Sequence, residues 1–233
     1  MGDNGATVTE TRRAFHEDLQ ELCTDVLHLA ALATEAIQGG TAALLQADIA
    51  SAEQLMARDL EMDDLTHGIE QRACALLARQ QPMAVDLRLI VTVLRVIHEL
   101  ERMGDLMVNI DKTIRRLGSA ELGPKVRGLI EAMGRQATEQ VRAASEAFAQ
   151  RDTALAGRLR GMDDAMDDLQ RDLFRAIFAG PNADEAALQR AVQIALVGRY
   201  FERIGDHAVN VGERVEFMVN GRFPEMVDVR PAS

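Results

Sequence analysis

The chain has 233 residues, of which 47% are hydrophobic and 27% charged, and its formal net charge is −11. This length and composition predict a soluble globular protein with one large domain or two small ones. Its only adjacent basic pairs are Arg12–Arg13 and Arg115–Arg116, so it lacks the clustered basic residues that phosphate contacts need, which excludes nucleic acid as the main partner.

The predicted class is all-α. Aromatic residues make up 3% of the chain, with no Trp and one Tyr, so Leu, Ala, Val, Ile and Met must fill the core, as they do in packed helices. The N-terminal sequence MGDNGATVTE has neither a basic region nor an apolar run. No uninterrupted apolar segment reaches the roughly 18 residues of a membrane span. We therefore expect a cytoplasmic protein.

Long amphipathic segments alternate with short breaks along the chain. Apolar residues recur at helical spacing between breaks at Gly39–Gly40, Pro82, 118–124 and 180–181. The pattern predicts helices over residues 9–38, 41–80, 84–117, 123–150, 152–179 and 184–220. Because short turns join antiparallel neighbours, we predict two tandem antiparallel three-helix bundles. Residues 1–119 would form the first bundle, 120–220 the second, and 221–233 a C-terminal tail.

A motif on the third predicted helix recurs on the sixth. ELERMGDLMVNI at residues 99–110 matches YFERIGDHAVNV at residues 200–211, which favours an internal duplication. Residues four apart lie on one face of a helix. Each copy therefore presents a stripe of oxygen-bearing side chains, formed by Glu101, Asp105 and Asn109 in the first copy and by Glu202, Asp206 and Asn210 in the second.

The second and fifth predicted helices each carry a further acidic pair. Asp59 and Asp63 lie four residues apart in RDLEMDDL. Counted outward from the turn at Pro82, Asp63 and Glu101 are equally distant, and so are Asp59 and Asp105. Equal distance from the turn means equal height in an antiparallel pair, so these carboxylates should face one another. The second half repeats the arrangement about a turn near 180–185, with Asp163, Asp167, Glu202 and Asp206.

These facing carboxylates predict a metal site in each half. Four carboxylates at one level repel one another, and burying an unpaired charge is costly, so a cation should lie among them. Oxygen ligands suit divalent or multinuclear Fe, Zn, Mn or Mg. The alternative is a solvated acidic face, or pairing with arginines on the same helices. The candidate ligands are Asp59, Asp63, Glu101, Asp105, Asn109, Asp163, Asp167, Glu202, Asp206 and Asn210.

No catalytic motif accompanies the acidic residues. The sequence contains no HExxH, P-loop, GxGxxG or GxSxG pattern, and no residue looks like a catalytic nucleophile. We therefore predict a protein that is not an enzyme. Two alternatives stay open. One is a metal-dependent hydrolase or oxidase that uses bridged metal ions, which would need open coordination positions, and the other is a helical scaffold whose carboxylates bind nothing.

The two copies of DxxxD on one helix and ERxGD on the next resemble the PhoU family of phosphate-signalling regulators. The resemblance is closest around PMAVDLR at residues 82–88 and in the two ERxGD motifs, and it spans about residues 10–220. The second loop, FAGPNADEAAL, departs from the PMAVDLR pattern. An Arg-rich composition with Lys112 and Lys125 as the only lysines is consistent with an actinobacterial member.

The resemblance implies a cytoplasmic negative regulator of the phosphate-starvation response. Such a regulator couples the phosphate ABC transporter, through its ATPase, to a sensor histidine kinase. The resemblance also implies a homodimer that reaches the membrane only through these partners. In some members of the family, paired E(D)xxxD motifs bind multinuclear metal clusters. The matching residues here are Asp59, Asp63, Glu101, Asp105, Asp163, Asp167, Glu202 and Asp206.

Overall fold

The computed structural model describes residues 4–118, 122–179 and 184–222, without the side chains of residues 4–11. The prediction of two tandem antiparallel three-helix bundles is confirmed. In the first bundle α1, α2 and α3 pack together, and in the second α4, α5 and α6 do so. None of the helices in these ranges is both long and apolar enough to cross a membrane. The helices are α1 (Asn4–Gln46), α2 (Ile49–Gln80), α3 (Val85–Leu117), α4 (Pro124–Gln150), α5 (Thr153–Phe178) and α6 (Glu185–Asn220).

The first helix is longer than predicted, because Gly39 and Gly40 do not end it. α1 continues to Gln46, so the predicted boundary between residues 38 and 41 is wrong. A Cβ atom on Gly40 would lie 2.4 Å from Met107 Cε and 3.0 Å from Asp111 Oδ1. The glycine therefore permits close packing of α1 on α3 and does not reverse the chain.

Both bundles use the same turn between their first and second helices. Ala47 and Arg151 adopt positive φ angles of 53° and 54°, which close the preceding helix. The aspartates that follow, Asp48 and Asp152, cap the next helix, each accepting a hydrogen bond of 3.1 Å from the backbone N–H three residues further on. These turns fix where α2 and α5 begin and hence the height of the acidic residues that they carry.

α3 and α6 lie side by side at the centre of the molecule and join the two bundles. They run antiparallel: Arg88 Nε donates to Met218 O at 3.1 Å near one end, and His207 Nδ1 lies 2.7 Å from Glu99 Oε2 nearer the middle. α1 and α4 form the second contact between the bundles. A single hydrophobic core contains residues from all six helices, so the two halves bury their apolar surface together.

Two other predicted features lie partly outside the described residues. The predicted break at 180–181 falls between α5 and α6, in residues that the structure does not describe. α6 ends at Asn220, where Gly221 adopts a φ of 71° and donates its N–H to Phe217 O at 2.8 Å. Of the predicted tail, residues 223–233 lie outside the described ranges.

Candidate functional site

Four carboxylates of the first bundle lie together on α2 and α3. Asp105 raises the pKa of Asp59 more than Glu101 does, whereas Glu101 raises the pKa of Asp63 more than Asp105 does. Coulombic effects grow as distance falls, so this order is the one expected when Asp59 faces Asp105 and Asp63 faces Glu101. This is the register obtained by counting from Pro82. We call these four residues the first acidic cluster.

Gly104 lets the Asp59 carboxylate approach the backbone of α3. A Cβ atom on Gly104 would lie 3.0 Å from Asp59 Oδ1 and 3.2 Å from Met62 Cε. Gly205 does the same on α6, where a Cβ atom would lie 2.6 Å from Asp163 Oδ1. The glycine in each ERxGD motif therefore leaves room for an aspartate from the neighbouring helix.

The carboxylates of the first acidic cluster are partly buried and repel one another. Burial, followed by the charges of Asp63 and Asp105, raises the pKa of Asp59 to about 6. Burial and the charge of Glu101 also raise the pKa of Asp63. Arg102 Nη1 lies 3.0 Å from Asp105 Oδ2, but this pair is exposed and is weakened by solvent. A cation among the four carboxylates would relieve their mutual repulsion.

The second bundle brings the corresponding four residues together on α5 and α6. Burial raises the pKa of Asp163, with a further rise from Asp206, and burial and Asp206 likewise raise the pKa of Glu202. Glu202 Oε1 pairs with Arg199, while its buried Oε2 has no hydrogen-bond partner among the described residues. Because that oxygen is buried, it needs a proton, a water molecule or a cation as its partner. The second acidic cluster consists of Asp163, Asp167, Glu202 and Asp206.

The inner sides of the two clusters differ. In the second bundle, fully buried Gln140 of α4 donates its Nε2 to Asp163 Oδ1 at 3.3 Å. In the first bundle, a cavity of about 30 Å³ lies between α1, α2 and α3, and both Asp59 and Asp111 line it. Sequence reasoning missed both Gln140 and Asp111, because neither lies on an acidic stripe. The one signal for Asp111 was that it directly follows the first copy of the motif, whereas Gly212 follows the second copy.

The two motif asparagines have different surroundings. Asn210 Nδ2 donates to Glu99 Oε2 at 3.1 Å, and His207 Nδ1 lies 2.7 Å from the same oxygen. Burial raises the pKa of Glu99, but the hydrogen bonds from His207 and Asn210 outweigh burial and hold that pKa below its ordinary value. The Asn210 amide thus has a partner in the other bundle. Asn109 is half-buried on α3, and its role as a ligand stays a prediction.

The chemistry of both clusters suits a hard or borderline cation. Their donors are carboxylate oxygens held close together on facing helices. Asp167 and Asp206 of the second cluster are exposed, whereas the other six carboxylates are half-buried. Across the described ranges, however, no three His, Cys, Asp or Glu side chains are placed to hold one metal ion. Loading would require carboxylates to rotate, including Asp105 and Glu202, which now pair with Arg102 and Arg199. The metal role of the ten candidate ligands therefore stays a prediction.

The chain is similar to known proteins over most of its length. A family model described as the PhoU domain matches residues 26–114 and 130–215, one match in each bundle. The chain is 38% identical over 215 residues to a protein from Mycobacterium leprae named phosphate-specific transport system accessory protein PhoU homolog 1, covering 92% of this chain and 96% of that protein. It is also 38% identical over 214 residues to PhoU homolog 2 of Mycobacterium tuberculosis, covering 91% and 100%.

Solved structures have the same fold. The crystal structure of PhoU from Pseudomonas aeruginosa matches with a TM-score of 0.83 and 29% sequence identity, covering 89% of this chain and 100% of that one. The phosphate transport system regulatory protein PhoU from Streptococcus pneumoniae matches with a TM-score of 0.82 and 25% identity, covering 90% and 98%. The similarity therefore extends across both bundles.

Proposed function

Since the chain belongs to the PhoU family, we propose that it is a negative regulator of the phosphate-starvation response. The observation that carries this proposal is the 38% identity, over almost the full length, to proteins named as accessory to the phosphate-specific transport system. In this role the protein acts in the cytoplasm and couples the ATPase of the phosphate ABC transporter to a sensor histidine kinase. It binds these partners as a homodimer and reaches the membrane only through them.

We further propose that the two acidic clusters bind divalent or multinuclear metal ions, with Fe, Zn, Mn or Mg as the candidates. The raised pKa values of Asp59, Asp163 and Glu202 support this proposal, because each reports a carboxylate whose charge is poorly compensated. A bound cation would supply that compensation and hold α2 against α3 and α5 against α6. The role is structural and regulatory, and metal-loaded protein is expected not to turn over a phosphate ester such as p-nitrophenyl phosphate.

The regulatory role is tested by secreted phosphatase activity in phosphate-rich medium. A deletion strain should show high activity, and the wild-type gene should return the activity to a low level. Low activity in the deletion strain, with any second copy of the gene also removed, would contradict the proposal. The dimer is tested separately by light scattering, which should give about twice the chain mass of 25.6 kDa.

The contribution of the acidic clusters is tested in the same strain. A variant that combines Glu101→Ala, Asp105→Ala, Glu202→Ala and Asp206→Ala should fail to restore low phosphatase activity, although the protein accumulates. The matched control removes four exposed acids that lie outside the clusters on α2 and α5, and it should behave as wild type. Full repression by the cluster variant would show that signalling does not need the clusters. The control substitutions are Glu61→Ala, Asp64→Ala, Asp164→Ala and Asp168→Ala.

A further inference from the structure

The first bundle contains a small cavity next to its acidic cluster, partly open to solvent beside the exposed side chains of Glu35 and Arg58. The cavity is about 30 Å³ and lies between α1, α2 and α3, enough for about two water-sized particles. Leu32 and Ala36 of α1 line it on one side, and Asp59 and Met62 of α2 on another. Asp111 of α3 completes the wall. The lining also includes Glu35 of α1 and Arg58 of α2, both exposed, and the remaining lining residues are mainly apolar. Asp59 and Asp111 are therefore the two carboxylates on the inner side of this space.

Asp111 is an unusual residue for such a wall. It is 2% exposed, and its Oδ1 has no hydrogen-bond partner among the described residues. Oδ1 also lies against α1, 3.0 Å from where a Cβ atom of Gly40 would be, so the helix leaves room for the carboxylate but gives it no donor. A buried carboxylate oxygen without a donor needs a proton, a water molecule or a cation.

The corresponding position in the second bundle has no buried carboxylate that requires a partner. Gly212 corresponds to Asp111, one residue after the repeated motif, and a Cβ atom there would lie 2.7 Å from Leu159 Cδ1 and 3.1 Å from Ala156 O. The position is therefore packed against α5. Asp163, which matches Asp59, receives the Gln140 amide at 3.3 Å. In the second bundle, the inner aspartate Asp163 thus has an amide donor and no counterpart of Asp111 beside it. In the first bundle, the inner aspartate Asp59 has a second carboxylate, Asp111, and a cavity beside it.

The neighbouring positive charges do not compensate for the pair. Lys112 lowers the pKa of Asp59, but its side chain is exposed. Arg58 lines the cavity and is also exposed. In the described part of the chain no ion pair joins Arg58 to Asp59 or Asp111. The Asp111 carboxylate adds charge on the inner side of a cluster that already repels itself.

We propose that this cavity is a cation subsite, in which Asp59 and Asp111 share one divalent cation whose remaining ligands are water molecules on the open side of the cavity. Mg²⁺ and Mn²⁺ accept one or two protein carboxylates together with water in this way. The first bundle then binds one cation more than the second. The subsite rests on the metal binding proposed above for the two acidic clusters, because Asp59 belongs to both.

The test counts Mn²⁺ bound per chain. Metal-free full-length protein is dialysed against Mn²⁺ and the bound metal is measured by mass spectrometry, for wild type, Asp111→Asn and Ala36→Val. Asp111→Asn removes the charge at nearly constant shape, and Ala36→Val narrows the cavity without changing charge. The control is Asp64→Asn, which removes an exposed carboxylate beside the cluster on α2. Circular dichroism and melting confirm that each variant is folded.

The subsite predicts that Asp111→Asn and Ala36→Val each bind one Mn²⁺ fewer per chain than wild type, while Asp64→Asn binds the wild-type number. Equal stoichiometry and affinity in wild type and in the folded variants would overturn the subsite, leave metal binding by the clusters intact and indicate that the two carboxylates share a proton or a water molecule. Absence of Mn²⁺, Zn²⁺ and Fe²⁺ binding to wild type would instead overturn the proposed metal binding itself, and the subsite with it.

Discussion

At the scale of single residues, the most distinctive feature is a set of carboxylates without enough positive charge nearby to compensate for their own. Asp111 is the clearest case, because it is the one acidic residue in the described ranges that is fully buried. Burial, followed by the charge of Asp59, raises its pKa to about 7. In the metal-free protein it therefore folds in its neutral form over much of the acidic range, whereas the unfolded chain ionises near pH 4.

Asp111→Asn should stabilise the metal-free protein at neutral pH. As pH rises from about 4 to about 7, the unfolded chain releases a proton that the folded protein still holds, so wild-type stability falls. Asparagine carries no such penalty. With chelator present, we expect a gain of about 1–2 kcal/mol at pH 8, or roughly 2–8 °C in melting temperature, and almost none at pH 4. Thermal melts of both proteins across this range measure it, and a gain that is independent of pH would contradict it.

At the scale of helices, two contacts join the bundles by different means. α3 and α6 share a polar group of Glu99, His207 and Asn210 set among apolar side chains. α1 and α4 instead meet through small residues, with Gly134 of α4 packed against Thr41 of α1, where a Cβ atom would lie 2.4 Å from Thr41 Cγ2. The contact between α3 and α6 thus includes hydrogen bonds to the Glu99 carboxylate. The contact between α1 and α4 requires a glycine at position 134, which leaves room for Thr41.

Glu99→Gln should weaken the contact between α3 and α6. The lowered pKa of Glu99 means that its charge stabilises the fold above about pH 4, and that this contribution is lost as pH falls through the folded-state pKa. We expect a loss of about 1–2 kcal/mol at pH 7 that disappears at lower pH. Urea unfolding of wild type and of the variant, at pH 7 and at a pH below the folded-state pKa of Glu99, measures this difference in stability.

The control for that variant is Glu131→Gln, which breaks an exposed pair with Arg135 at 3.0 Å. Exposed pairs contribute little, so its unfolding midpoint should stay near wild type at pH 7. If both glutamine variants lost the same free energy of unfolding, the prediction that the half-buried Glu99 group contributes more than an exposed ion pair would be wrong.

Gly134→Ala should loosen the contact between α1 and α4. The new methyl group would collide with Thr41, a short buried side chain that cannot move aside without its backbone, so we expect a loss of about 1–3 kcal/mol. Gly128→Ala in the same helix has no heavy atom within 4 Å of the new Cβ. That control should gain up to about 1 kcal/mol from helix propensity. Differential scanning calorimetry compares the two, and stabilisation by both would contradict the packing argument.

At the scale of the whole molecule, the two bundles form one unit. Their core is continuous and contains residues from all six helices, and α3 packs both on α2 and on α6. Each bundle therefore uses the other to cover an apolar face that it cannot cover alone. Each acidic cluster has two of its carboxylates on α3 or α6, the two helices that pack together at this shared centre.

A consequence is that the metal-free chain should unfold in one cooperative transition. Calorimetry should give a single peak with equal calorimetric and van't Hoff enthalpies. A fragment of residues 1–119 should expose the α6-facing side of α3 and fail to form a stable monomer. Two separate peaks, or a soluble monomeric fragment with native helix content, would show that the bundles fold independently.

Most of the architecture could be predicted from the sequence. Apolar spacing marked six helices, and the spacing of Asp59, Asp63, Glu101 and Asp105 about Pro82 predicted which carboxylates would face one another. Both features follow from local rules: helical periodicity and the short turn fix the geometry of neighbouring helices. The boundary of α1 was wrong, because a glycine can mark a close helix contact as well as a turn, and only the partner helix distinguishes the two.

The sequence by itself determined the helices, the paired bundles and the two acidic clusters, since each depends on residues close along the chain or on a single short connection. The tertiary structure alone decided that Glu99 binds His207 and Asn210, that Gln140 reaches Asp163, and that Asp111 lines a cavity with Asp59. Those contacts join helices that no short turn connects, so their register depends on packing of the whole core. The repeated motif is symmetric in sequence, but its two copies have different inner surroundings for this physical reason.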